Sequence, residues 1–178
     1  MVPSDIISQM DNTKIQQTFH SLETSWTLWI HLPNVQWSLS SCLKVDTFTN
    51  VENCIALSES LSDGIIKSCM MFIMRENIMP QWEHPRNRDG GYFSFKVLNK
   101  NVCQVWKDLT YVLIGNTLST NNDFLRDISG ITISPKKNFC IIKVWMTNCN
   151  HQNASVVTQE IRGLTSQGCI FKKHAPEY

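Results

Sequence analysis

Two tryptophans and a neighbouring glutamate are residue types that can stack on a flat ligand and hydrogen-bond its edge. Trp37 follows LPNVQ and Trp82 follows NIMPQ, two turn-like segments that tend to present a bulky residue on a loop or strand tip. Composition alone favours a core role for both, because exposed tryptophans on loops are uncommon. Glu83 shifts the balance, since a carboxylate beside a presented indole, followed by the polar run HPRNRDGG, suits a polar ligand better than a core.

Three further tryptophans are expected to fill the core, as a large indole usually does in a small domain. Trp106 falls on the apolar side of a helical pattern, and Trp29 stands between two aliphatic residues in a strand-like run. We therefore predict that Trp26, Trp29 and Trp106 are buried and take no part in a site.

The elements that must position these side chains follow from hydrophobic periodicity. Segments rich in aromatic and β-branched residues predict strands of an antiparallel sheet. They are Leu28–Ile30, Trp37–Val45, Cys69–Arg75, Tyr92–Leu98, Ile131–Ile133, Phe139–Thr147 and a short Cys169–Phe171.

Three helical patterns lie between the predicted strands. The first is opened by Thr49, with Glu52 completing a capping box, and closes at Gly64; the second starts after Asn101 and is stopped by Gly115. A weaker third pattern carries the apolar residues from 156 to 164, and the polar stretch 116–127 predicts a loop. Together the patterns predict an α+β domain with its helices on one face of the sheet and the other face free for a ligand.

Length and charge limit the classes of protein to consider. The 178 residues fit one domain, with a flexible tail at 1–19 and the domain at 20–178, and a monomer is expected. The net charge of +1 excludes a broad basic field, so any nucleic acid must be held locally. No apolar run approaches the ~20 residues of a membrane span, so no membrane partner is expected. Seven scattered cysteines suit reduced thiols and a cytoplasmic location, with the nucleus as a second compartment.

A series of motifs follows in one order from His20 onward. They are Trp26-x-x-Trp29, Trp37, Val51-Glu52, Ile78-x-Pro80-x-Trp82-Glu83, Asn87-x-x-Gly90-Gly91, Trp106, Ile114-Gly115, Gly130, Trp145-x-Thr147 and His174-Ala175. This series resembles the translation initiation factor 4E family, the eukaryotic cap-binding proteins. The resemblance implies a curved antiparallel sheet with about three helices on its convex face and a cap pocket on its concave face. It implies binding of messenger RNA in translation initiation, without catalysis, metal or cofactor.

The resemblance implies specific roles for the presented residues. Trp37 and Trp82 would stack a 7-methylguanine base between them, because methylation at N7 gives guanine a delocalised positive charge that indole faces attract. Glu83 matches the carboxylate that accepts hydrogen bonds from guanine N1 and N2. Trp145 matches the residue that contacts the N7 methyl group.

The cap's phosphates need cations, and the resemblance implies which lysines contact them. Lys136 aligns with a family arginine, which keeps the charge and loses the planar guanidinium fork. Lys143 lies two residues from Trp145 in a predicted strand and so shares its face. Lys137 adds a third charge, although an ordinary solvated surface position explains it equally well.

Two further positions near the phosphates are distinctive. Tyr92 stands where the family has an arginine, which removes a positive charge. His174 aligns with a C-terminal loop residue near the second nucleotide, and Lys172 and Lys173 could serve a phosphate there.

The resemblance also implies a partner surface on the back of the sheet, which binds a helix of a scaffold initiation factor or repressor. In this chain that surface comprises His20, Val51, Ile55, Lys107, Asp108 and Tyr111. Ile55 stands where the family has tryptophan and Lys107 where it has leucine. Because aromatic anchors often dominate interface energy, we expect such a helix to bind with altered affinity.

Two alternative functions remain. A cap-binding competitor or repressor would occupy caps without recruiting the scaffold. An enzyme, a metal-dependent or cysteine hydrolase using Cys140, Cys149 and His151, belongs to a different class. Zinc sites usually show paired short spacings such as C-x-x-C, and the sequence contains none, nor a nucleophile elbow or phosphate-binding loop. The sequence therefore predicts a protein that is not an enzyme.

Overall fold

Seven strands form one antiparallel sheet in the computed structural model, which describes residues 18–31 and 39–176. The strands are β1 (Ser21–His31), β2 (Cys42–Asn50), β3 (Met70–Arg75), β4 (Gly91–Leu98), β5 (Ile128–Pro135), β6 (Phe139–Met146) and β7 (Ile170–Lys173). The helices are α1 (Val51–Ser60), α2 (Asp63–Ser68), α3 (Val102–Ile114) and α4 (Asn122–Asp127). The strand order is β2-β1-β3-β5-β6-β4-β7. The predicted α+β fold with a curved antiparallel sheet is confirmed.

Strand alternation divides the sheet into a helix face, on which the four helices pack, and an open face. On β1, Trp26 and Leu28 point to the helix face and are 0% and 1% exposed. Trp106 reaches the same core from α3 at 1% exposed. The predicted burial of Trp26 and Trp106 is confirmed.

A second, smaller cluster lies on the open face. Its buried members are Cys42, Phe72, Met74, Ile78, Tyr92 and Trp145, with Trp29, Met70 and Trp82 partly buried against them. Trp29, predicted to lie in the core, is only partly buried and packs on the open face, because its neighbour Leu28 points to the helices and Trp29 points the other way.

Helix boundaries depend on caps that the sequence patterns identified only in part. The side chain of Asn50, not Thr49, caps α1 by accepting a hydrogen bond from the Asn53 N–H at 2.8 Å. The helix ends at Ser60 rather than Gly64, because Leu61 is extended and α2 begins at Asp63 under a new cap. The bounds predicted for α3 agree with the structure.

Three predicted segments differ from the structure. The third helical pattern forms only a 3₁₀ turn, Ala154–Val156, because Val157 is extended and Gly163 has a left-handed φ of 95°. The polar stretch 116–127 contains α4, whose Phe124 is fully buried. The strand predicted at Trp37–Val45 begins at Cys42, after a 3₁₀ turn, and Trp37 lies outside the described residues.

Three global properties follow from the described part of the chain. All seven cysteines are free thiols. No helix there combines the length and apolarity that crossing a bilayer requires. The described residues also contain no group of three or more histidine, cysteine or acidic side chains that could hold a metal ion.

Candidate functional site

Four aromatic side chains meet on the open face. The Trp82 and Tyr92 rings are nearly parallel, 18° apart, with centroids separated by 6.1 Å. His174 lies edge-on to both, with ring centroids 5.6 Å from each, and its centroid is 4.8 Å from that of Trp145. We call Trp82, Tyr92, Trp145 and His174 the aromatic cluster.

Strand register explains how distant segments reach this cluster. Tyr92 of β4 pairs with Trp145 of β6 on one side and with Lys172 of β7 on the other. Directly paired residues project to the same face of a sheet, so all three side chains face the site. His174 lies two residues beyond Lys172, and its backbone N–H donates to the Gly90 carbonyl at 3.0 Å.

The loop that carries Trp82 and Glu83 is held from inside. Asn87 is fully buried, and its amide group donates to the carbonyls of Met79 at 3.1 Å and Gln81 at 2.9 Å. These bonds fix the backbone just before Trp82. Glu83 is exposed and therefore accessible to a ligand beside the cluster.

Several buried polar atoms on the open face have no hydrogen-bond partner among the described residues. They are Nε1 of Trp29, Oγ1 of Thr132, Nε1 of Trp145 and Nδ1 of His174. Buried polar groups are normally paired, and exceptions concentrate where a ligand completes the bonding. Similar atoms also lie elsewhere, including Nε1 of Trp26 on the helix face, so it is their combination with the aromatic cluster that marks the open face as the candidate site.

His174 is the most strongly perturbed group in the site. Its Nε2–H donates to the Gly91 carbonyl at 2.7 Å, which leaves the Nδ1 lone pair facing the cluster. The pKa of His174 is lowered to about 4, chiefly by burial; the Lys143 charge acts in the same direction, and the hydrogen bond to Gly91 and the Glu83 charge oppose the shift. The ring is therefore neutral at pH 7, and it packs inside the cluster rather than in an exposed loop.

Lys143 brings a cation to the cluster. Its Nζ lies 4.4 Å from the Tyr92 ring centroid and 6.0 Å from that of Trp82. Burial is the main cause that lowers the pKa of Lys143, and the positive charges of Lys136 and Lys172 add to it. An anion bound among these ammonium groups would offset the repulsion between them.

The other lysines predicted to bind the cap lie outside the aromatic cluster. Lys136 and Lys137 are exposed in the turn between β5 and β6. Lys173 shares the alternation of Phe171, which packs on Phe93 in the core of the helix face with ring centroids 5.0 Å apart. Its side chain therefore leaves the opposite face of β7, which contradicts its predicted place beside the second nucleotide.

The predicted partner surface lies on α1 and α3, where the chain's own side chains bind one another. Lys107 Nζ lies 2.6 Å from a Glu59 carboxylate oxygen, and the Tyr111 hydroxyl donates to the other oxygen at 2.8 Å. Burial is the main cause that raises the pKa of Tyr111 to about 12, and the hydrogen bond to Glu59 adds to it. His20 pairs with Glu52 at 2.5 Å.

The other predicted members of the partner surface have simpler surroundings. Ile55 is 44% exposed. Val51 is half-buried, and its N–H donates to the His20 carbonyl at 2.9 Å. Asp108 accepts a hydrogen bond from the Gln104 amide at 2.7 Å.

The residues of the alternative enzyme hypothesis have separate local roles. The Cys140 thiol donates to the Asn99 side-chain oxygen at 3.7 Å, and burial raises its pKa, which opposes nucleophilic use. The Cys149 thiol donates to the Asp89 carbonyl at 3.6 Å, and His151 packs edge-on against Phe124.

Sequence reasoning missed two contributors to the site. Tyr92 was treated only as a lost charge, although it is the ring that stacks on Trp82. Asn87 appeared only as part of a motif, although it braces the loop. Strand alternation could have placed Tyr92, but no local signal predicts the bonds of Asn87.

Comparisons with known proteins agree with this architecture. The family model described as eukaryotic initiation factor 4E matches residues 21–175. Initiation factors 4E-2 and 4E-1 of Schizosaccharomyces pombe are each 28% identical to the chain over 75% of its length, and the chain spans 56% and 63% of their lengths. A schistosome initiation factor 4E, solved in complex with m7GpppG and 4E-BP, superposes with a TM-score of 0.68 at 25% identity, over 76% of both chains. The chain belongs to the eukaryotic initiation factor 4E family.

Proposed function

We propose that this chain binds the 7-methylguanosine cap of messenger RNA on the open face and acts in translation initiation. The observation that carries the proposal is the aromatic cluster, with the Lys143 ammonium against it, in a member of this family. The S. pombe relatives are named as initiation factors, and the schistosome relative was solved with a cap dinucleotide.

In this proposal the methylated base stacks on the face of Trp82 that Tyr92 leaves free. Tyr92 backs the indole and so limits its rotation, which reduces the entropy lost on binding. Trp37 supplies the second face of the sandwich, and Glu83 accepts from the guanine N1 and N2 donors. Trp145 lies beside the N7 methyl group.

The phosphates lie among Lys143, Lys136 and Lys137. The position of Lys143 Nζ against Tyr92 and Trp82 supports this placement, because a phosphate there would offset the repulsion of Lys143 by Lys136 and Lys172. We further propose that the chain is a monomeric binding protein of the cytoplasm, and of the nucleus as a second compartment, and that it is not an enzyme.

Titration of the purified protein with m7GTP and GTP, followed by tryptophan fluorescence, tests the proposal. We expect m7GTP to bind at least about tenfold more tightly, because only the methylated base carries the charge that the indoles attract. Equal affinity for the two nucleotides would contradict the proposal.

A matched pair of glutamates tests how the base is recognised. Glu83→Gln removes the charge that accepts from guanine, and we expect m7GTP affinity to fall by about 1.5–3 kcal/mol. Glu76→Gln is the control, because Glu76 is also exposed and starts the same loop at the end of β3. Equal effects of the two substitutions would show that Glu83 does not recognise the base.

A second candidate function is a cap-binding competitor that does not recruit the usual scaffold. The Lys107–Glu59–Tyr111 contacts favour it, because an incoming helix must displace or desolvate an ion pair at that surface. Titration with a scaffold-derived helix carrying the tyrosine and leucine anchors separates the two roles: micromolar or tighter binding supports the initiator, and its absence supports the competitor.

A further inference from the structure

Positive charge is concentrated on one half of the sheet. The strands β4 to β7 and the turn between β5 and β6 contain Lys96, Lys136, Lys137, Lys143, Lys172 and Lys173 and no acidic residue. The whole chain, by contrast, has 16 basic and 15 acidic residues. This half of the sheet is therefore a local polycation within a nearly neutral protein.

Strand register places three of these lysines, Lys96, Lys143 and Lys172, on the open face, in line with the aromatic cluster. Beyond Tyr92, the open-face residues of β4 are Ser94, Lys96 and Leu98. Their partners on β6 and β7 are Lys143, Ile141, Phe139 and Ile170. We call these seven residues the distal open face.

The distal open face combines a cation with exposed apolar surface. Lys96 Nζ lies 4.6 Å from the Phe139 ring centroid, and Leu98 and Ile170 are 49% and 50% exposed. The Lys136 N–H donates to the Phe139 carbonyl at 2.8 Å, so the lysines of the β5–β6 turn lie at the far end of the same surface. Cations thus occur at both ends and in the middle of the distal open face.

We propose that the distal open face binds the single-stranded RNA that directly follows the cap. Interleaved cations and an accessible ring suit a flexible polyanion whose bases stack without sequence readout. The seven residues from Tyr92 to Leu98 span about 20 Å, which accommodates several nucleotides. Lys172 faces the cluster from β7 and contacts the first phosphates, together with Lys143.

This inference rests on the proposed cap binding and is tested separately from it. The affinities of the whole chain for m7GTP and for a capped pentanucleotide are compared over a range of salt concentrations. We expect the capped RNA to bind at least about fivefold more tightly, with a steeper fall as salt rises, since each phosphate contact adds about 0.7 to the salt slope for single strands.

Two substitutions on the surface and one matched control complete the test. Lys96→Met keeps the aliphatic stem, and we expect it to weaken capped RNA binding about threefold and to lower the salt slope by about 0.7. Phe139→Leu keeps apolar volume and removes the ring, with a comparable loss expected. Lys173→Met is the control, because this lysine leaves the opposite face of β7 and should not change the affinity for RNA.

The outcomes separate the two hypotheses. Equal affinity of the native chain for m7GTP and capped RNA would overturn the RNA path and leave cap binding intact. Equal losses from Lys96→Met and Lys173→Met would also overturn it, as would Lys96-dependent binding of an acidic peptide without any gain for capped RNA. Failure of m7GTP itself to bind would overturn the proposed function.

Discussion

At the scale of single residues, the site consists of side chains whose surroundings matter more than their type. Trp26 and Trp82 are chemically identical, yet the first fills the core and the second stacks on Tyr92 at the edge of the open face. Trp145 is only 3% exposed, and its Nε1 has no hydrogen-bond partner among the described residues. These differences decide which indoles can meet a ligand.

Removal of a stacking ring tests the proposed sandwich. We expect Trp82→Ala and Trp37→Ala each to reduce the free energy of m7GTP binding by about 1–3 kcal/mol, because each loses one base–indole stack. Isothermal titration measures the loss, and circular dichroism confirms that each variant is folded. Unchanged affinity in either variant would remove that tryptophan from the site.

His174 predicts a dependence of stability on pH. Its pKa is about 4 in the folded protein, against 6.5 for an ordinary histidine, so the unfolded chain takes up the proton first as pH falls. Stability is therefore full above about pH 6.5 and falls by up to about 3 kcal/mol as pH drops toward 4. Urea unfolding across this range measures the slope.

A variant at the same position provides the control for the pH effect. His174→Gln keeps an amide donor for the Gly91 carbonyl and cannot titrate, so its stability should fall less steeply between pH 6.5 and 4. Identical slopes in the native chain and the variant would mean that another group causes the acid sensitivity.

At the scale of elements, β7 is the strand on which the site depends most. It is four residues long and, among the strands of the described residues, pairs only with β4, yet it carries Lys172 and leads directly to His174. Its close approach to β4 requires a glycine: a Cβ on Gly91 would lie 2.5 Å from the Lys172 carbonyl oxygen and 2.6 Å from Phe171. Small changes at this contact should therefore shift the residues of the aromatic cluster.

Gly91→Ala tests this coupling. We expect a loss of about 1–3 kcal/mol in unfolding free energy, because backbone must move to admit the methyl group, and weaker m7GTP binding as His174 shifts. Gly64→Ala is the control, since its Cβ would meet only the Ser62 hydroxyl at 3.8 Å within α2, and it should stabilise by about 0.4–1 kcal/mol. A neutral Gly91→Ala would show that β7 adjusts freely.

At the scale of the whole molecule, the helix face and the open face have separate roles. The helices bury the main core against one side of the sheet, and α1 and α3 hold the Lys107–Glu59–Tyr111 contacts on their outer side. The aromatic cluster occupies the other side. A change at one surface should therefore leave binding at the other intact.

Lys107→Leu tests this separation. Loss of the ion pair with Glu59 and the new apolar surface should raise the affinity for a tyrosine- and leucine-bearing helix severalfold and leave m7GTP binding unchanged. Lys67→Leu is the control, because Lys67 forms a comparable exposed ion pair with Asp63 on α2. Calorimetric titrations of both variants with both ligands decide the matter, and equal gains for the helix would contradict a specific role of Lys107.

The approximate positions of the strands, the antiparallel sheet, the presented Trp82–Glu83 pair and the shared face of Lys143 and Trp145 could all be predicted from the sequence. Each of these depends on local periodicity, which a two-residue repeat or a turn former makes visible along the chain. The prediction of a third helix was wrong because it relied on local periodicity alone. The apolar spacing between 156 and 164 does not reveal the extended Val157 or the left-handed Gly163.

The surroundings of these residues depend on contacts between segments that are far apart in the chain. His174 forms a hydrogen bond with Gly91, which lies 83 positions away in the sequence. Lys172 lies beside Tyr92 because β4 pairs with β7. The same holds for Lys107, which binds a glutamate 48 positions away on another helix. Such contacts arise from strand register and helix packing, which bring distant residues together and which local patterns do not encode.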